Sequence, residues 1–371
     1  MNVVLAGRFS RTFLIAIGVM VLPGGFCVAA PAHGTADRKL DELRRRADAG
    51  YVDQQIELAA AYLAGRGVPQ DPAQAAHWYQ KAAEGGSPEA QNQIGYFYQK
   101  GIGVRVDLER AVHWFQLAAA SGMSRAKINL GVSYLKGMGV RKNASTARHL
   151  FLEAVDKGAG LGATFLGDME YFGLGGPVDK GAGEKWFETG AKLRDPEAAY
   201  DLAYLYSECE GHQHNIRRAA ELLRLSAGKG YVPGKHSLGV LLLRHPELAQ
   251  PQEEARVLLE DASHAGNWRS TVLLGILARD GKGIGADASL AYYYFYLAGL
   301  QGGTAAQRLL EADFKALSPR LGSEERLSVA ARADAFFDQH RVPLSFVLKE
   351  GDKDRNFPMA AVAESGAALA E

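Results

Sequence analysis

The sequence predicts an all-α protein, a right-handed α-solenoid of about seven 36-residue helix-turn-helix repeats with capping helices at both ends. Three observations predict it. A small residue recurs at Ala59, Gly95, Gly131, Gly167, Ala203, Gly239 and Gly275, each step being 36 residues with no insertion. The stretches LAAAYLAGRGVPQD (58–71), IGYFYQKGIGVRVD (94–107) and LGVSYLKGMGVRKN (130–143) repeat one order of apolar, small and glycine positions. Other columns share the register: Trp78, Trp114 and Trp186, then Ala82, Ala118, Ala154, Ala262 and Ala298, then Gly86, Gly122, Gly158, Gly230, Gly266 and Gly302. A fixed period of this length marks stacked units, none of which buries its apolar face alone.

The first 32 residues read as a targeting segment. Arg8 and Arg11 precede an apolar run of 11 residues, Thr12 to Leu22, which Pro23-Gly24-Gly25 breaks. Ala30-Pro31-Ala32 supplies a small-x-small cleavage pattern. A run this short does not span a bilayer comfortably. A cleaved signal peptide and a periplasmic or secreted location are therefore expected, with an uncleaved N-terminal anchor as the alternative. Phe26 and the glycines before Cys27 do not make a lipobox. Cleavage after Ala32 would leave Cys209 as the one cysteine, so packing rather than a disulfide must stabilise the fold.

Residues 36–52 follow as an N-terminal capping half-repeat, because Asp37 to Ala49 aligns with a second helix that lacks its first. Arg44-Arg45-Arg46 within it reads as a solvated face rather than a basic patch. The seven repeats occupy 53–303. In the second, Ala90, Ile94 and Tyr98 fall at i, i+4 and i+8, one stripe of a helix. Gly101-Ile102-Gly103-Val104 ends that helix, since glycine accepts a left-handed C-cap. Asp107 then caps the next helix, and Asp71, Asn143, Asp179, Asn215 and Asp287 stand at the same place. Pro72 follows Asp71 at the first helical position, where its missing N–H costs nothing. Gly95 and Ala118 are expected to let helices approach closely, with Tyr98 and Trp114 filling the gaps between units. Residues 304–340 read as C-terminal capping helices, Ala305 to Leu317 and then Ser323 to His340. The period is lost in 341–371, which is expected to be a mobile tail.

These residues carry a resemblance. The pattern A-x3-LG-x2-Y-x2-G-x-GV-x2-D-x3-A-x2-W-[YF]-x2-A-A is similar to the Sel1-like repeat family, a branch of the tetratricopeptide superfamily. The match is near ideal in the first two units, good in the third, fourth and seventh, and degraded in the fifth and sixth. The resemblance implies an α-solenoid used as an interaction scaffold, often in bacterial envelopes.

Composition narrows the function classes. Lys plus Arg (42) equals Asp plus Glu (42), so the chain has no overall field to gather phosphates and nucleic acid is not an expected partner. No G-x-S-x-G, H-E-x-x-H, P-loop or dinucleotide fingerprint is present. The Gly-x-Gly motifs end helices rather than follow strands. The chain is expected to be no enzyme, to need no cofactor, and to bind another protein or a peptide segment. Direct binding of cell-wall or exopolysaccharide glycan is the alternative, since tyrosines stack on sugars too. No stable membrane span is expected after signal cleavage.

The expected binding groove is the side of each first helix that faces away from the Ala90–Ile94–Tyr98 stripe. Carried along the register it contains Asn92, Tyr96 and Gln99, then Ile128, Val132 and Leu135, then Thr164, Asp168 and Tyr171. Tyr200, Tyr204 and Ser207 follow, then His236, Val240 and Leu243, and finally Val272, Ile276 and Arg279. The list is more apolar and aromatic than a solvated face, which points to an interaction surface. Tighter superhelical curvature would instead bury the same residues against each other. On the groove reading, changing Tyr200 and Tyr204 to Ala weakens binding without unfolding the chain.

Two clusters invite metal chemistry. Cys209, His212 and His214 lie within six residues, with Glu208 and Glu210 beside them, and could ligate zinc or copper if the loop curls. A polar irregular loop with one free thiol is the plainer expectation. His77, His113 and His149 recur at 36 residues, but equivalent positions of adjacent units lie about 8–10 Å apart, too far to share one ion. They are expected to form a partly exposed column.

Overall fold

The computed structural model describes residues 35–208, 215–245, 247–248, 251–281 and 285–340. The expected leader, the Cys209–His214 loop and the tail lie outside them. After α1 (Thr35–Asp48), seven helix pairs follow: α2 (Val52–Ala64) with α3 (Pro72–Glu84), α4 (Pro88–Lys100) with α5 (Leu108–Ala120), and α6 (Ser124–Lys136) with α7 (Ala144–Asp156). Then come α8 (Gly160–Tyr171) with α9 (Lys180–Lys192), α10 (Pro196–Glu208) with α11 (Ile216–Gly228), α12 (Val232–Arg244) with α13 (Pro251–His264), and α14 (Trp268–Asp280) with α15 (Ala288–Leu309). The chain ends in α16 (Glu311–Leu317), a short 3-10 turn (Ser318–Arg320) and α17 (Ser323–Gln339). No strand occurs among the described residues. Each helix of the pairs packs on its predecessor and its successor, as an α-solenoid requires.

The turns inside each pair are built twice over. Asp71, Asp107, Asn143, Asp179, Asn215 and Asp287 each accept a backbone N–H from the first turn of the second helix; for Asp107 the donor is Arg110 at 3.0 Å. The same capping residue donates its own N–H to a carbonyl nine residues upstream. Asp107 reaches Tyr98 at 2.9 Å, Asn143 reaches Tyr134 at 2.8 Å and Asp287 reaches Ala278 at 2.9 Å. One residue thus fixes the start of the second helix and ties it to the end of the first.

In four of the units the two helices of the pair lock through a glycine and an aromatic residue. A Cβ placed on Gly95 would sit 2.8 Å from the Phe115 ring, on Gly131 2.5 Å from Phe151, on Gly167 2.5 Å from Phe187, and on Gly275 2.4 Å from Phe295. All four phenylalanines have 0% exposure. The ring that fills the core is therefore the residue after the Trp column. Trp78 is buried at 7%, but Trp114 and Trp186 are half-buried against the cluster edges. Where the small residue is Ala203, the facing position 20 residues on holds the smaller Leu223, so the volumes compensate.

The second glycine of the turn has a different task. At Gly103 (φ 66°) an added Cβ would lie 2.0 Å from the Pro72 carbonyl oxygen, and at Gly139 (φ 69°) 2.1 Å from that of Leu108. Each turn thus rests on the first residues of the second helix in the preceding unit. Gly67, in the first unit, meets nothing within 4 Å.

The ends differ from the repeats. In α1, Arg44 faces Asp41 at 3.7 Å, while Arg45 and Arg46 pair with Glu42. Gly303 (φ 58°, ψ −142°) breaks α15, and the chain after it turns into α16. Helix α17 does not pair with α16 as a second helix would; it lies on α15. Arg332 sits 5.4 Å over the Tyr293 ring, Tyr296 hydrogen-bonds Asp334, and Phe336 and His340 stack beside His264 of α13. No helix among the described residues is long and apolar enough to cross a membrane.

Candidate interaction face

The stripe that defines the face behaves as its spacing dictates: Ala90 and Ile94 are at 0% exposure and Tyr98 at 6%. Of the positions expected to line the groove, none is fully exposed, and they fall into two groups. Asn92, Ile128, Val132, Leu135, Asp168 and Tyr200 are buried, as are Thr164 and Val272. Tyr96, Gln99, Tyr171, Tyr204, Ser207, His236, Val240, Leu243, Ile276 and Arg279 are half-buried.

The buried group is interior packing. Ile128, Val132 and Leu135 share one cluster with Phe151, Leu166 and Met169. Asn92 Oδ1 accepts from Asn129 Nδ2 of the next unit at 2.8 Å, and Thr164 donates to Asp195 at 2.7 Å. Tyr200 is 5% exposed, with its ring 5.6 Å from Tyr231. Replacing Tyr200 by Ala therefore opens a cavity, and the expectation that this change spares the fold is corrected by its burial.

The half-buried group, with His236 the most enclosed of it, is the part nearest to solvent. Tyr96 carries Lys100 5.9 Å from its ring, and Tyr171 carries Lys180 at 5.6 Å. Arg279 hydrogen-bonds Asp280 at 2.7 Å and pairs with Asp313 of α16, so its charge ties the last pair to the C-terminal cap. His236 Nδ1 lies 2.9 Å from Ser270 Oγ. Burial, with a smaller contribution from the nearby Arg269 charge, lowers its pKa to about 4, so the ring is neutral at neutral pH.

The histidine column stands elsewhere. His77, His113 and His149 are exposed on second helices, the first two edge-on to Trp78 and Trp114, and His149 lies 3.5 Å from Glu153. No group of three or more metal-binding side chains assembles among the described residues. Cys209, His212 and His214 lie outside them.

The model of the Sel1 repeat matches residues 55–87, 88–123, 124–158, 161–195, 196–231 and 269–303. The whole of the sixth unit, 232–268, is unmatched, whereas the fifth, expected to be degraded like the sixth, is matched over 196–231. Among solved structures, a Sel1 repeat protein from Oxalobacter formigenes is 24% identical, covering 59% of this chain and 93% of that one at a TM-score of 0.50. A protective antigen of uropathogenic Escherichia coli with an SLR fold is 22% identical, covering 84% and 74% at 0.43. An immunity protein from Pseudomonas aeruginosa is 20% identical, covering 58% and 81% at 0.42. No match was found among curated proteins. With six matched repeats over more than half of its length, the chain belongs to the Sel1 repeat family, whose members generally act as protein-interaction scaffolds.

Proposed function

We propose that this protein is a non-catalytic scaffold of the bacterial periplasm or envelope, and that it holds a segment of a partner protein against the accessible face of its first helices. The observation that carries the reading is the row of side chains Tyr96, Tyr171, Tyr204, Leu243 and Ile276, packed against the core on one side and half-exposed on the other. Tyrosine and aliphatic side chains held part-way out of water gain most from a partner that finishes their burial. The location rests on the leader-like first 32 residues, and N-terminal sequencing of the exported chain should begin at residue 33.

The test is chemical crosslinking in cells set beside a glycan pull-down. The expected result is a discrete protein adduct that Tyr204→Ala weakens about 10-fold, an interface anchor being worth at least ~1.4 kcal/mol. The melting temperature should fall by no more than a few degrees, because Tyr204 is not interior. Retention on glycan with no protein adduct would replace this reading by that of a cell-wall or exopolysaccharide accessory.

A further inference from the structure

The chain is neutral as a whole, but its charge is not evenly spread. Between Met123 and Gly158, the third unit, stand seven Lys or Arg and two Asp or Glu. Some of this charge is internal: Lys127 pairs with Glu153 at 2.7 Å, and Arg148 with Glu170 of the next unit. Other cations are exposed. Arg125 lies in the first turn of α6, while Arg141 and Lys142 lie in the turn that follows it. The side chains of Arg125, Arg141 and Lys142 are exposed, with no side-chain hydrogen bond or ion pair among the described residues. Helix α6 has 13 residues, about 20 Å at 1.5 Å per residue. Exposed positive charge therefore stands at both ends of the helix that lines the face at this unit.

We propose that the segment docked on this face is acidic, and that the third unit is where charge holds it. This rests on the scaffold reading above and names the chemistry of the partner. A segment running along the solenoid passes between Arg125 on one rim and Arg141 and Lys142 on the other, so carboxylates on either side of it meet a cation. The centre of α6 offers little for it to grip, since Ile128, Val132 and Leu135 are already buried, so charge takes the larger part here. A membrane fits less well. The cations are split between the two ends of α6, and the second unit beside them is balanced, with three basic and three acidic residues between Ser87 and Gly122.

The test uses the mature full-length chain and three short synthetic peptides with the same Leu and Phe positions, their polar positions being all Glu, all Gln or all Lys. Fluorescence anisotropy at low salt should rank Glu over Gln over Lys, with Glu about 10-fold tighter than Gln, and the advantage should shrink at high salt. The double variant Arg141→Glu, Lys142→Glu should erase the Glu advantage while leaving the melting temperature unchanged, because neither side chain has a structural partner. Tyr204→Ala should weaken all three peptides alike. Equal binding of the Glu and Gln peptides would overturn the charge proposal and leave the groove standing. No binding by any peptide would remove both. Loss of binding to phosphatidylglycerol vesicles in the double variant, with the Glu peptide unaffected, would show that the patch serves a lipid surface instead.

Discussion

A half-buried histidine gives the clearest residue-scale consequence of the fold. His236 reads in the sequence as a groove residue, yet most of its ring is withdrawn from water and its Nδ1 is hydrogen-bonded with Ser270 Oγ. Its pKa falls from 6.5 to about 4 in the folded chain, so the unfolded chain takes up the proton first as the pH drops. The associated stability is complete above about pH 6.5 and is lost between there and pH 4, on the order of 3 kcal/mol in all. Denaturant midpoints across that range should fall in the native chain and fall less in His236→Gln. The carboxylates titrate alike in both, so the difference isolates the imidazole. An equal fall in both chains would mean that His236 is solvated. The sequence hid this because position along a helix gives the side a residue faces, not the depth to which neighbouring helices bury it.

Element ends were more legible. The capping residues could be read directly, because a helix start needs a short acceptor at one position and the 36-residue register repeats it. The core ring was misplaced by one residue. Trp114 looked like the filler because it is larger, while Phe115 points at Gly95 and is fully buried. The adjacent column Phe115, Phe151, Phe187 and Phe295 was available as a signal. The turn glycines make a sharp comparison. Gly67→Ala should cost about 1–2 kcal/mol for left-handed backbone alone, because nothing surrounds it. Gly103→Ala carries the same strain and a clash with the Pro72 carbonyl, adding ~1–3 kcal/mol. Thermal unfolding of the two variants checks this, and equal losses would mean that the turns do not bear on their neighbours.

At the scale of the whole molecule, period and composition fix the architecture, but the partner face is only half legible. About half of the column of first-helix positions is interior, packed against the neighbouring helices rather than left on a face. The charge of the third unit was hidden in a chain-wide sum of zero and appears only when counted by unit. The central claim is that partners approach the first helices and not the outer second helices. Photo-crosslinking tests it most directly, with the probe placed in turn at Tyr96, Tyr204 and Ile276 on the one face and at His77, His113 and His149 on the other. The account predicts one discrete protein adduct shared by the first set and absent from the second. Adducts from the histidine column alone would place the partner on the outer face and contradict it.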